Sequence, residues 1–174
     1  MEFRTDRLIL KPLSEKELDG NYVNWLNDKE VCKYNSHGDR TYTREMAVEF
    51  INSIKNDSTK EVYAVYHIQD NIHIGNISLQ QIDRHNQSVE IAFLFGEKDY
   101  WGKGYASESA ELLIKRAFED LKLHRIYFGT SEFNTGMQKV GEKLGFQKEG
   151  TLKDAQFKNG KFNNIVCYAL IKEN

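Results

Sequence analysis

Proline and cysteine are scarce in this chain of 174 residues, and long apolar runs are missing altogether. With Pro12 as the one proline, no Pro-rich linker exists, and no internal repeat breaks the chain, so a single domain over residues 1–174 is expected. Cys32 and Cys167 lie far apart and outside any Cys-x-x-Cys pair, which excludes a disulfide framework and leaves reduced, packed thiols as the expectation. No stretch approaches the length of a membrane span, and Met1-Glu-Phe-Arg-Thr-Asp6 lacks the apolar centre of a signal peptide. A soluble, cytoplasmic protein with no membrane partner is the reading that follows. One-sided charge is absent too: 24 basic and 26 acidic residues give a net charge of −2, too little field to gather nucleic acid. The histidines (His37, His67, His73, His85 and His124) form neither His-Glu-x-x-His nor a Cys/His cluster, so no protein-bound metal is expected.

What is present is periodicity. Phe3 to Leu13 alternates as a strand, and Ser14-Glu-Lys-Glu17 reads as a capping box opening a helix with Leu18, Tyr22, Trp25 and Leu26 on one face. A second helix begins near Thr43 and carries Ala47, Phe50, Ile51 and Ile54. Glu61–Ile68, Ile72–Ile82 and Ser88–Phe95 form three strand candidates, the first two joined by a turn at Gln69-Asp-Asn71. From Gly104 onward Ala106, Ala110, Leu113, Ile114, Ala117, Phe118 and Leu121 recur at helical spacing. Arg125–Thr130 reads as a strand, Met137–Leu144 as a helix stopped by Gly145, and the remainder as strands around an Asn159-Gly160 hairpin turn. The order β-α-α-β-β-β-α-β-α-β-β predicts an α/β domain with a mixed sheet, because the helix after the glycine turn crosses between two strands while the earlier strands can pair as hairpins.

The segment Asp99-Tyr-Trp-Gly-Lys-Gly-Tyr-Ala106 lies between a strand and the most regular helix. That order aims backbone N–H groups and the positive end of the helix dipole at one point, which suits an anionic, phosphorylated ligand. A nucleoside-triphosphate loop is excluded: the gap from Gly96 to Gly102-Lys103 is one residue too long, and Gly104 stands where Ser or Thr is required. A dinucleotide fingerprint fails because Ser107 occupies the place of its third glycine.

Nearly the whole chain resembles a GNAT-type acyl-CoA-dependent N-acetyltransferase, of the branch that includes ribosomal-protein alanine N-acetyltransferases. The motifs in register are Thr5-Asp-Arg-Leu-Ile-Leu10, Trp25-Leu-Asn-Asp28, Ile74-Gly-Asn-Ile77, Trp101-Gly-Lys-Gly-Tyr-Ala106, Leu123-His-Arg-Ile126 and Lys143-Leu-Gly-Phe146 followed by Glu149-Gly150. The resemblance implies a single GNAT domain with a largely antiparallel central sheet flanked by helices, and acetyl-CoA as acyl donor without a metal. It implies a pyrophosphate over Gly102, Lys103, Gly104, Tyr105, Ala106 and Ser107, and a pantetheine arm running beside Leu94 and Gly96 where two strands diverge. Trp101 replaces the family's usual Gln or Arg. Trp101 and Tyr105 either stack on adenine or pack inward, and Lys103 either offsets phosphate charge or is solvated. Glu90 stands where many relatives carry a catalytic glutamate, its plain alternative being a solvated strand residue or a substrate anchor. Asn134 matches an asparagine that contacts pantetheine or orders the next helix. Lys139 either reaches the ribose phosphate or faces solvent.

Two departures bear on mechanism. Asn134-Thr-Gly-Met137 lacks the family's Ser or Ala, and the position of the thiolate-protonating tyrosine falls at Gly141, which leaves water, Tyr127 or Tyr105 as proton donor. For the acceptor the resemblance points to Trp25, Tyr34, His37 and Asp154, with Asn35, Ser36, Asn163 and Asn164 nearby. A small-molecule or peptide primary amine is expected; an amino-sugar nucleotide is the alternative acceptor, and a noncatalytic acyl-CoA-binding module the alternative from another class. A homodimer through a sheet edge or helix face is compatible with such a domain, although no residue marks the interface.

Overall fold

The alternating segments assemble into one eight-stranded sheet in the order β1-β2-β3-β4-β5-β6-β8-β7. This is a computed structural model, and it describes residues 1–173. The strands are β1 Phe3–Arg4, β2 Leu8–Pro12, β3 Glu61–His67, β4 Ile72–Asp83, β5 Ser88–Phe95, β6 Arg125–Ser131, β7 Gln147–Lys158 and β8 Lys161–Ile171. The helices are α1 Tyr22–Asn27, α2 Arg44–Lys55, α3 Tyr105–Lys115 and α4 Thr135–Lys143. Every neighbouring pair is antiparallel except β5 and β6, so the sheet is mixed. No helix among the described residues is long and apolar enough to cross a membrane.

The sheet separates two cores. On one face Leu8, Leu10, Val65, Ile77, Leu79, Val89, Ile91, Ile126 and Phe128 meet Ala110, Leu113 and Ala117 of α3 and its extension. On the other, Ala64 meets Leu18, Trp25 and Leu26 near α1 and Ala47 and Ile51 of α2. Full burial of each large aliphatic side chain contributes about 1.5–3 kcal/mol, which is what holds helices of this length that water alone would unwind.

Several local expectations are corrected. The opening strand is two strands, because Thr5 Oγ1 accepts from the amides of Arg7 and Leu8 at 3.2 and 2.9 Å and bends the chain between them. The first helix is broken. Ser14 does cap it, its N–H donating to the Glu17 carboxylate at 2.8 Å, but the turn Glu15–Asp19 is 3₁₀ and closes at Gly20 before α1 begins. Phe50 is 37% exposed rather than in the core. Ala106 is half-buried, whereas Tyr105, Ser107 and Ser109 occupy the inner face of α3. Beyond Lys115 the helix widens to a π turn, Arg116–Asp120, in which Leu121 N–H reaches back to Arg116 C=O at 3.0 Å while the Arg116 guanidinium grips Glu61 of β3 at 2.8 Å.

Candidate active site

Strands β5 and β6 run side by side for only three rungs: Ser88 with Arg125, Val89 with Ile126 and Glu90 with Tyr127. Beyond that last rung β5 continues to Phe95 and β6 to Ser131 without pairing, and the sheet opens as a fork. Strand edges carry one row of N–H and C=O groups, so each arm offers hydrogen-bonding backbone to whatever lies between.

The chain leaves β5 through Gly96, whose N–H, with that of Glu97, donates to Ile74 C=O at 3.1 and 3.2 Å. A side chain at Gly96 would lie 2.0 Å from the Trp25 indole, so this glycine is required by packing. Trp25, an expected acceptor contact, is 4% exposed and donates its indole N–H to Glu97 Oε1 at 3.0 Å. Its ring forms a wall at the end of β5 rather than an open surface. Leu94 packs against the same cluster.

The glycine segment follows. Gly102 and Gly104 sit at φ +73° and +86°, the left-handed region that a Cβ disfavours, and their turn delivers the chain into α3. Among the described residues, none of the amides from Gly102 to Ser107 donates to a protein acceptor. Consecutive free amides at a helix N-terminus, with no side chain on two of them, are a cradle that phosphate oxygens fit. Trp101 lies outside it, 39% exposed, its indole N–H donating to Phe95 C=O at 2.9 Å. Of the two alternatives for Tyr105, the structure has the ring packed inward: it is buried, and its hydroxyl lies 3.1 Å from His67 Nε2. Only its backbone faces the cradle. The Lys103 ammonium sits 5.4 Å from the centre of the Tyr100 ring.

Glu90 stands at the crotch of the fork. Gln81, at φ +52° in a bulge of β4, donates its side-chain amide to Glu90 Oε2 at 2.9 Å. Burial lifts the Glu90 carboxyl above the usual carboxylate range, with the Gln81 hydrogen bond opposing. Tyr127, the opposite rung, has its phenol raised by burial and by the Glu90 charge. An open groove lined by Thr59, Gln81, Arg84 and Tyr127 adjoins this pair. Rung partners share a face, so Gln80 stands with Glu90, Ser78 with Ala92 and Asn76 with Leu94, and Asn76, Ser78, Gln80 and Glu90 form a polar row toward α1 and α2. Ser78 accepts from Gln80 Nε2 at 2.8 Å, and Asn76 Oδ1 lies 2.8 Å from His73 Nε2 while its own NH₂ is buried without a partner. Gln81 and this row were not singled out from sequence; the polar residues at alternate positions 76, 78 and 80 are the signal that could have found them.

The remaining candidates separate into two groups. Tyr34 and His37 meet the β7–β8 hairpin, Tyr34 C=O accepting from Gln156 at 3.3 Å and His37 C=O from Lys158, which also pairs with Asp39 at 3.2 Å. His37 Nδ1 lies 2.9 Å from the Tyr42 hydroxyl, and burial lowers the pKa of its ring. Asp154 is at φ +50° in a bulge of β7, held through its N–H to Asn164 Oδ1 at 2.9 Å, with its carboxylate exposed. None of these three hydrogen-bonds to the Glu90 carboxylate, whose partner is Gln81. Asn134 caps α4, its Oδ1 accepting from Met137 N–H at 3.2 Å, and Lys139 is exposed. Gly141 is packed too closely for any side chain, since a Cβ there would lie 2.5 Å from the Phe128 ring.

Comparison with known proteins decides among the classes this geometry allows. Residues 7–147 match the family model described as an acetyltransferase (GNAT) domain. The chain belongs to the GNAT acetyltransferase family. It is 30% identical to the uncharacterized N-acetyltransferase p20 of Bacillus licheniformis over 97% of its own length and 94% of that relative. Its fold superposes on spermidine N-acetyltransferase from Vibrio cholerae, solved with CoA and spermine, with a TM-score of 0.85 at 23% identity, covering 96% of both chains. RimL, a ribosomal L7/L12 alpha-N-protein acetyltransferase solved with coenzyme A, gives 0.88 at 16% identity over 98% of both chains. The GNAT fold is thus shared by proteins named for a polyamine acceptor and for a protein acceptor.

Proposed function

We propose that this GNAT acetyltransferase moves an acetyl group from acetyl-CoA directly to a primary amine, either a protein or peptide N-terminus or a small molecule. The observation that carries the reading is the fork: parallel pairing stops at Glu90 and Tyr127, and the open arm of β5 leads to the free amides of Gly102–Ser107. Those amides hold the pyrophosphate, and the unpaired edges beside Leu94 and Gly96 orient the pantetheine arm. The donor supplies, when bound, an acyl group activated as a thioester. The chain supplies a proton acceptor, because an alkylamine is mostly ammonium at neutral pH and Glu90, with its raised carboxyl pKa, is matched to take that proton directly or through water. The Tyr105 hydroxyl is committed to His67, so the acid role falls to Tyr127 or to water. The acceptor approaches on the α1–α2 face, between the Tyr34–His37 loop and the hairpin carrying Asp154.

The test is acetyl-CoA-dependent thiol release against N-terminal peptides, polyamines, amino-sugar nucleotides and aminoglycosides, with coenzyme A binding measured by calorimetry. Saturable turnover with one amine class supports the reading and identifies the acceptor. Tight binding without turnover on any amine would overturn the transfer site, and absence of binding would overturn the cradle.

A further inference from the structure

The Thr5-Asp-Arg7 turn, one of the motifs that carry the family resemblance, has no part in the chemistry above, yet it ends at the cradle. Both oxygens of Glu108 on α3 are occupied by it: Thr5 Oγ1 donates to Oε1, and Arg7 donates to Oε2 through Nε at 2.8 Å and through Nη2. The remaining arm of the guanidinium, Nη1, donates to Lys103 C=O at 3.3 Å, and its central carbon lies 4.6 Å from the Tyr105 ring centre. One side chain therefore touches the loop, the first residue of the helix and the helix's first turn.

The peptide linking Lys103 to Gly104 is planar and trans, so its C=O and N–H point in opposite directions. A guanidinium holding the carbonyl from below turns the Gly104 N–H to the other side, where that amide has no protein acceptor. Gly104, at φ +86°, has no Cβ to fix this plane by packing, and the nearest atom to one would be Arg7 Nη2 at 3.8 Å. Glu108 in turn fixes the guanidinium by taking two of its planar donors, Nε and Nη2, on the single oxygen Oε2, while Nη1 stays aimed at the loop, an arrangement of donors that an ammonium does not present. We infer that Arg7, held by Glu108, is a positioning residue for the pyrophosphate of the acyl donor: it sets the direction of the Gly104 amide without touching the ligand. The inference rests on the acetyl-CoA reading and adds to it the part that orients the cradle.

The experiment compares two donors, acetyl-CoA and acetyl-pantetheine, which lacks the pyrophosphate and nucleotide, using the amine found in the panel above and the proteins Arg7→Met, Arg7→Lys and Glu108→Gln. For all three, kcat/KM with acetyl-CoA falls roughly tenfold, the effect of losing a hydrogen bond to a charged group, while kcat at saturation is kept. With acetyl-pantetheine kcat/KM stays at the wild-type value, which shows that the variants are folded. Glu108→Gln separates positioning from direct contact, since a guanidinium released from its carboxylate would bind phosphate better if it were itself a ligand. Equal loss with both donors, or gain in Glu108→Gln, overturns the inference while leaving the acetyl-CoA reading intact. If the wild-type protein binds no coenzyme A, both fall together.

Discussion

The two faces of β4 and β5 are opposite in chemistry, and the polar one is the less completely buried. Toward α3 stand Ile77, Leu79, Val89 and Ile91, none more than 1% exposed. Toward α1 and α2 stand Asn76, Ser78, Gln80 and Glu90, and although Asn76 and Ser78 are only 5% exposed, the side-chain NH₂ of Asn76 has no partner. Burying a polar group without a partner costs roughly 1–3 kcal/mol, so the second face contributes little to stability for the area it covers. The difference teaches that these two strands divide their labour by face, one side packed dry against α3 and the other keeping a half-buried carboxylate among polar neighbours.

That division can be broken from either side. The largest effect belongs to the apolar face: Ile77→Ala should lower unfolding free energy by about 2–5 kcal/mol, read by urea denaturation, with kcat per folded molecule unchanged. Next, Glu90→Gln should keep coenzyme A affinity and the denaturation midpoint while lowering kcat about 100-fold. Because burial raises the Glu90 pKa, wild-type kcat/KM should rise with pH through that raised value as the carboxylate forms, and the variant should lose this limb. The ionised, half-buried carboxylate also makes stability fall slightly as pH climbs from the ordinary glutamate pKa to the raised one. A pH profile identical in both proteins would remove Glu90 from the proton transfer. Gly104→Val forces a β-branched residue to φ +86° and should weaken coenzyme A binding roughly tenfold by calorimetry through the displaced amide. The smallest effect sharpens the comparison most. Replacing His73 by Phe and Asn76 by Leu together removes a hydrogen-bonded pair and its orphan donor, and stability should stay level or rise by about 1 kcal/mol. A large loss would show that the polar face holds the fold after all.

What could be read from the chain was what repeats locally. The period of α3, the glycine turn, the extents of β3, β4 and β5, and the Asn159-Gly160 reversal at φ +52° and +76° all depend on neighbours within a few residues. Glu90 was located by family register, and the structure adds that it sits on the last parallel rung. What escaped depends on partners far away in the chain. Arg7 and Glu108 are 101 positions apart, and nothing in either neighbourhood announces the other. Trp25 carries a binding residue's profile, aromatic with a polar edge, yet Gly96 leaves the space that buries it. The bulge that swings Gln81 onto Glu90 has no glycine to mark it.

Gly141 has a consequence for how this molecule can change. A tyrosine there would collide with Phe128, whose ring stacks on Tyr168 at 5.1 Å and 6° in the core. Any route to a phenol at this position must first surrender that stack, so an intermediate sequence has lost packing and gained no acid. Two substitutions that make sense only together are a valley between lineages, and by this geometry the chain stands on the side with no phenol at position 141.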